Sequence, residues 1–119
     1  MTPHRANITN LLNLIASQSN QLEYQKLAPV NVANELVNQW FDDFYHPTDE
    51  QFRQEFSSYE LASLDKFHTC YEIRLSSLPN SLDQMLETRA WREVMDFATE
   101  VLAEHSWQGI EAYYDDQTE

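Results

Sequence analysis

The stretch Ser57–Leu78, SSYELASLDKFHTCYEIRLSSL, decides the fold class. Leu61, Leu64, His68, Tyr71, Leu75 and Leu78 recur in it at alternating spacings of three and four, which places all six on one stripe of an α-helix. Five of the six are apolar or aromatic and the sixth is a histidine. The stripe therefore reads as the core face of a central packing helix, bounded by Ser57 on one side and Pro79 on the other.

Outward from this stretch the same period continues. Toward the N-terminus, Ile8, Leu11, Leu12, Ile15 and Leu22 share a stripe, predicting a helix over 5–27 that opens at Thr2-Pro3 or Asn7 and stops before Pro29. Asn31 is a good N-cap for a second helix over 32–45, with Val32, Leu36, Val37, Trp40, Phe41 and Phe44 on a wide apolar arc. His46-Pro47 breaks it, and Thr48 with Gln51 reads as a capping box for a short helix over 49–56 anchored by Phe52 and Phe56. A second capping box, Ser57 with Glu60, opens the central helix over 58–77. A third, Ser81 with Gln84, opens a long helix over 82–106. Its inward arc runs from Ala90 and Trp91 through Val94, Met95, Phe97 and Ala98 to Val101, Leu102 and His105. Gly109 suits the left-handed position past its end, and residues 115–119 read as a frayed tail.

With a single Gly in 119 residues, hairpin turns lack their usual residue. The expected fold is all-α: one domain over 1–119, an antiparallel bundle of four to five helices with short connections that make consecutive helices neighbours. Six Phe, six Tyr and three Trp supply the apolar area of its core. The apolar runs reach only two or three residues, too short to span a bilayer. Cys70 is the one cysteine, and the start MTPHRAN is too polar for a secretion signal, so a reducing, cytoplasmic setting is expected.

The net charge of −13 disfavours nucleic-acid phosphate and anionic membranes as direct partners, because like charges repel and no counterions are released. The charge is uneven. Residues 1–30 carry Arg5, Lys26 and Glu23, and residues 61–90 carry four acids against three bases. The excess lies in residues 31–60, with seven acids against Arg53, and in residues 91–119, with eight acids against Arg92. On the last helix Glu93, Asp96, Glu100 and Glu104 form a ridge, with no Lys or Arg four residues on to relieve the repulsion. Asp42, Asp43, Asp49, Glu50 and Glu55 form a second acidic group around the helix turn. Tyr113 and Tyr114, followed by Asp115 and Asp116, make an aromatic-acidic tail of the kind that enters a basic groove.

Catalytic and cofactor signals are weak. No Ser sits in a G-x-S-x-G elbow, and one Gly cannot build a phosphate-cradling loop. Asp65, His68 and Glu72 converge at spacings of three and four, the pattern of a carboxylate-supported base or part of a metal site. Di-metal bundles need Glu-x-x-His repeats on facing helices, and none occurs. His68 is therefore expected at the core edge, hydrogen-bonded within its own helix. His68 and Cys70, two apart, point in different directions on a helix, and His4, His46 and His105 are scattered. Cys70 in acidic surroundings is a structural residue rather than a nucleophile.

No cofactor, no metal and no enzymatic activity are expected. The leading expectation is an acidic binding protein that neutralises a basic protein partner, of the immunity-protein, antitoxin or nucleic-acid-mimic type, with Asp42, Asp43, Asp49, Glu50, Glu93, Asp96, Glu100, Glu104, Tyr113 and Tyr114 as its contact residues. The alternative is a helical adaptor or homodimer subunit that uses apolar surface left by the arcs on 32–45 and 82–106. A small metal-dependent or hydrolytic enzyme around Asp65, His68 and Glu72 comes last.

Overall fold

The computed structural model describes residues 2–107, and among them the regular structure is helical throughout. Helix α1 spans Pro3–Ile15, α2 Gln18–Leu27, and α3 Val32–Asn38, which continues into a π-helical segment Gln39–Phe44. Helix α4 spans Glu50–Gln54 and α5 Ser58–Arg74, the latter running into a 3₁₀ turn Leu75–Ser77; α6 is Leu82–Met85 and α7 Arg89–His105.

The all-α expectation holds, but two of the expected helices are each broken in two, giving seven α-helices among the described residues. The first break is at Ala16-Ser17. Ser17 Oγ accepts from the Asn20 backbone N–H and starts α2 afresh, as serine does at an N-cap. The new direction turns Gln21 inward, where its amide donates to the carbonyls of Leu14 (3.1 Å), which also accepts from the Ser17 N–H, and of Ile15 (2.8 Å), an acceptor left over at the end of α1. The second break is at Leu86–Thr88. Thr88 Oγ1 donates to the Met85 carbonyl (2.7 Å) and accepts from the Trp91 N–H (3.1 Å), so one hydroxyl ends α6 and begins α7.

The caps follow the sequence in part: Thr2 makes no side-chain capping bond, and Ser81 accepts from the Gln84 N–H without the return bond of the expected box. Asn31, Ser57 and Ser81 each accept from the N–H three residues on, and Ser57 with Glu60 makes both bonds of a capping box. At α4 the cap is Asp49, accepting from Phe52 N (2.9 Å), rather than Thr48. Carboxylate and hydroxyl both serve as N-caps, and Phe52 is buried in the helix that Asp49 begins. At the end of α7 the left-handed residue is Ser106, with φ 57°; Gly109, Tyr113, Tyr114 and 115–119 lie outside the described residues.

Four elements enclose the core. Helix α7 packs against both α1 and α5, and α1 also packs against the π-helical segment. The ring is closed by aromatic contacts from that segment to α5: Trp40 edge-on to Phe67 at 4.8 Å, and Phe41 to Tyr71 at 4.9 Å. Each member of the ring thus has two neighbours in it, α5 packing on α7 and on the π-helical segment. The π turn has the i→i−5 bond Tyr45 N to Trp40 O, and the Tyr45 ring stacks on Trp40 at 4.6 Å. The buried side chains form one continuous core, in which Ile8, Leu12, Leu36, Trp40, Phe67 and Trp91 are fully enclosed. No helix among the described residues is long and apolar enough to cross a membrane.

Candidate functional site

The acidic ridge of α7 is sorted by its neighbours into committed ends and an uncommitted middle. Glu93 Oε1 lies 3.4 Å from Arg74 Nε, an ion pair from α7 to α5. Glu104, at the other end, accepts hydrogen bonds from the Tyr59 hydroxyl and from Ser63 Oγ (3.2 Å) of α5. His105 Nε2 stands 2.9 Å from Ser63 Oγ. The Ser63 proton goes to the carboxylate, so His105 donates to Ser63 and the four groups form one directed chain. The Tyr59 hydroxyl holds the Glu104 carboxyl below the usual carboxylate range, and the same bond raises the Tyr59 pKa. Between the two ends, Asp96 and Glu100 are exposed and make no hydrogen bond or ion pair among the described residues.

Glu100 and Glu104 stand on the rim of a groove of about 620 Å³ between α5 and α7. On the α5 side it is lined by Tyr59, Ala62, Ser63 and Lys66, a row with helical spacing. On the α7 side Phe97, Val101 and Ala103 join the two glutamates. The small side chains Ala62, Ser63 and Ala103 keep the space between the helices open. Tyr59 is 61% exposed, so its ring forms an open wall. Sequence reasoning found the two glutamates but missed Tyr59, Ser63 and Lys66, because it sought apolar positions on α5 and treated the others as solvated. The signal available was the facing set of small residues.

The second acidic group is divided as well. Asp42 and Asp43 are exposed on the π-helical segment, and the Asp43 carbonyl accepts from His46 Nε2 (2.7 Å). Asp49 caps α4 and lies 3.9 Å from His4 Nε2, while Glu50 is exposed and accepts from Gln54 (3.4 Å). Glu55 turns toward α1 and accepts from the Arg5 backbone N–H at 3.0 Å. Arg5 itself lies against the Phe56 and Trp107 rings and grips Glu60 with both terminal nitrogens, at 2.9 and 2.6 Å. That grip pushes the Glu60 carboxyl down to about 2.

The triplet Asp65, His68 and Glu72 does not converge into a site. His68 Nδ1 accepts from the Trp40 indole at 3.1 Å, a partner from another helical element rather than from its own helix. Its Nε2 is 3.7 Å from Glu72, and the Asp65 carbonyl serves Thr69. Among the described residues no group of three His, Cys, Asp or Glu is placed to hold a metal ion. Cys70 is half-buried, and burial raises its thiol pKa, the opposite of nucleophile activation.

Comparison with known proteins finds no matching family model, no matching curated relative and no matching solved structure.

Proposed function

We propose that the protein is a small acidic binding protein whose α7 ridge engages a basic protein partner, of the kind that an immunity protein, antitoxin or other inhibitor neutralises. The observation that carries this reading is the uncommitted centre of the ridge, where Asp96 and Glu100 stand exposed with no ion-pair partner among the described residues, beside an open groove. The chain has seven Lys and Arg against twenty Asp and Glu. Among the described residues, only Arg5 and Arg74 of those bases form ion pairs with carboxylates. The remaining negative field is available for attracting and orienting a basic surface.

The adaptor or oligomer reading drew on the wide apolar arcs of 32–45 and 82–106. Leu36, Trp40, Trp91, Val94 and Val101 of those arcs are buried in the chain's own core, which leaves that reading with less support.

Titration with octalysine, followed by calorimetry at about 20 mM and about 200 mM salt, tests the proposal. Binding at low salt that weakens steeply at high salt is expected, and in a parallel NMR titration the amide shifts should concentrate on α7. Absence of binding at the lower salt concentration overturns the reading.

A further inference from the structure

We propose that the α5–α7 groove is a docking site for an arginine side chain of the partner, with Glu100 as the carboxylate that receives its guanidinium. The inference rests on the basic-partner reading above and narrows it to one side-chain type and one place.

The groove offers three things in one volume of about 620 Å³. Ala62, Val101 and Ala103 give it an apolar lining on which the arginine stem lies. Tyr59, at the Glu104 end of the groove and edge-to-face with His105 at 5.0 Å, keeps exposed ring surface for a planar cation to stack on. Of the two rim carboxylates, Glu104 already accepts from Tyr59 and Ser63, so Glu100 is the acceptor left with both oxygens unclaimed among the described residues. Asp96, one turn back on the ridge, adds negative potential on the same side. Lys66 is the opposing charge in the lining; it favours the ionised form of Glu104 and makes no ion pair with either glutamate among the described residues. The Tyr59–Glu104–Ser63–His105 chain has the further effect of fixing the tyrosine wall, so the groove is ordered before a ligand arrives.

Arginine rather than lysine fits this set. A planar guanidinium pairs with both oxygens of one carboxylate while stacking on a ring, and a compact ammonium does neither as well. Any exposed carboxylate can take a guanidinium in two-point contact, so the groove is identified by loss of the arginine preference in Glu100→Gln and not by the preference alone.

The test compares octaarginine with octalysine on the full chain and on Glu100→Gln and Asp42→Asn variants, each first checked for unchanged helicity. The expected result is octaarginine binding tighter by about ten-fold to the chain and to Asp42→Asn, with that preference lost in Glu100→Gln. A preference that survives in Glu100→Gln overturns the groove assignment. Equal binding of the two peptides by the unmodified chain overturns it too, while leaving the basic-partner reading in place. If neither peptide binds, both readings fall.

Discussion

Trp40 Nε1 donates to His68 Nδ1 across 3.1 Å, and the bond fixes the imidazole as the tautomer that carries its proton on Nε2. Trp40 is fully buried, so its indole N–H has no route to water. The histidine that the sequence marks as a potential base is thus an acceptor for a fully buried core tryptophan. His68→Phe keeps a ring in place and removes the acceptor, and it is expected to destabilise by about 1–3 kcal/mol in urea unfolding. Nitrogen NMR of the imidazole checks the other half: an Nδ1–H tautomer contradicts the bond.

Gln21 makes a second buried tie, between α2, α1 and α7. Its Oε1 accepts from Trp91 Nε1 at 3.1 Å while its amide nitrogen donates to Leu14 and Ile15. Gln21→Leu orphans the indole N–H, at a cost of about 1–3 kcal/mol before any repacking. Gln21→Glu separates the polar from the steric effect. Its buried carboxylate replaces the amide donor opposite two carbonyl oxygens, so its folded-state pKa rises above the unfolded value. The variant loses stability as pH rises through the carboxylate range, and a urea midpoint higher at pH 4 than at pH 7 is the expected reading.

How far the sequence revealed the fold can be judged on α5. The stripe from Leu61 to Leu78 correctly located a helix and its buried Leu64 and Tyr71, but Leu61, Leu75 and Leu78 are only half-buried. The core face is rotated toward Phe67, which is fully buried and lies off the stripe. Periodicity fixes that a helix is amphipathic; which edge of the arc sinks deepest depends on neighbours such as Trp40 and Phe97, which flank Phe67 at 4.8 and 6.0 Å. Phe67→Ala is accordingly expected to cost about 3–5 kcal/mol, and Leu61→Ala clearly less. Equal losses in thermal or urea unfolding restore the original stripe. The helix breaks at Ser17 and Thr88 were missed for a related reason. A lone Ser or Thr within a periodic run is compatible with continuing the helix, and only the tertiary use of Gln21 and Trp91 makes a restart worthwhile.

The Arg5–Glu60 pair gives the fold a predictable acid response. Arg5 holds the Glu60 carboxyl down to about 2, below the unfolded carboxylate range near 4.5. A group depressed in the folded state stabilises fully above its unfolded pKa and loses that contribution as pH falls through the folded value. The window is therefore from about pH 4.5 down to about pH 2. Glu60→Gln should unfold more easily than the unmodified chain at pH 6, with the gap closing across that window in parallel denaturation curves. A gap independent of pH contradicts the assignment.

The candidate site was half legible, since charge counting finds the ridge but cannot tell which of its four acids are engaged. That depends on Arg74, Tyr59 and Ser63 reaching over from α5. The sorting has a consequence for stability. Glu100 lies four residues from both Asp96 and Glu104, and each like-charge pair at that spacing destabilises a helix by about 0.2–0.5 kcal/mol. Glu100→Gln removes one member of both pairs and breaks no internal bond, so it should raise the unfolding midpoint at low salt while weakening capture of octaarginine. Glu93→Gln, by contrast, removes the partner of Arg74 and should bring no such gain. Opposite movement of stability and binding is the behaviour of a side chain kept for an external ligand. Should Glu100→Gln leave both unchanged, the centre of the ridge is a solvated face and nothing more.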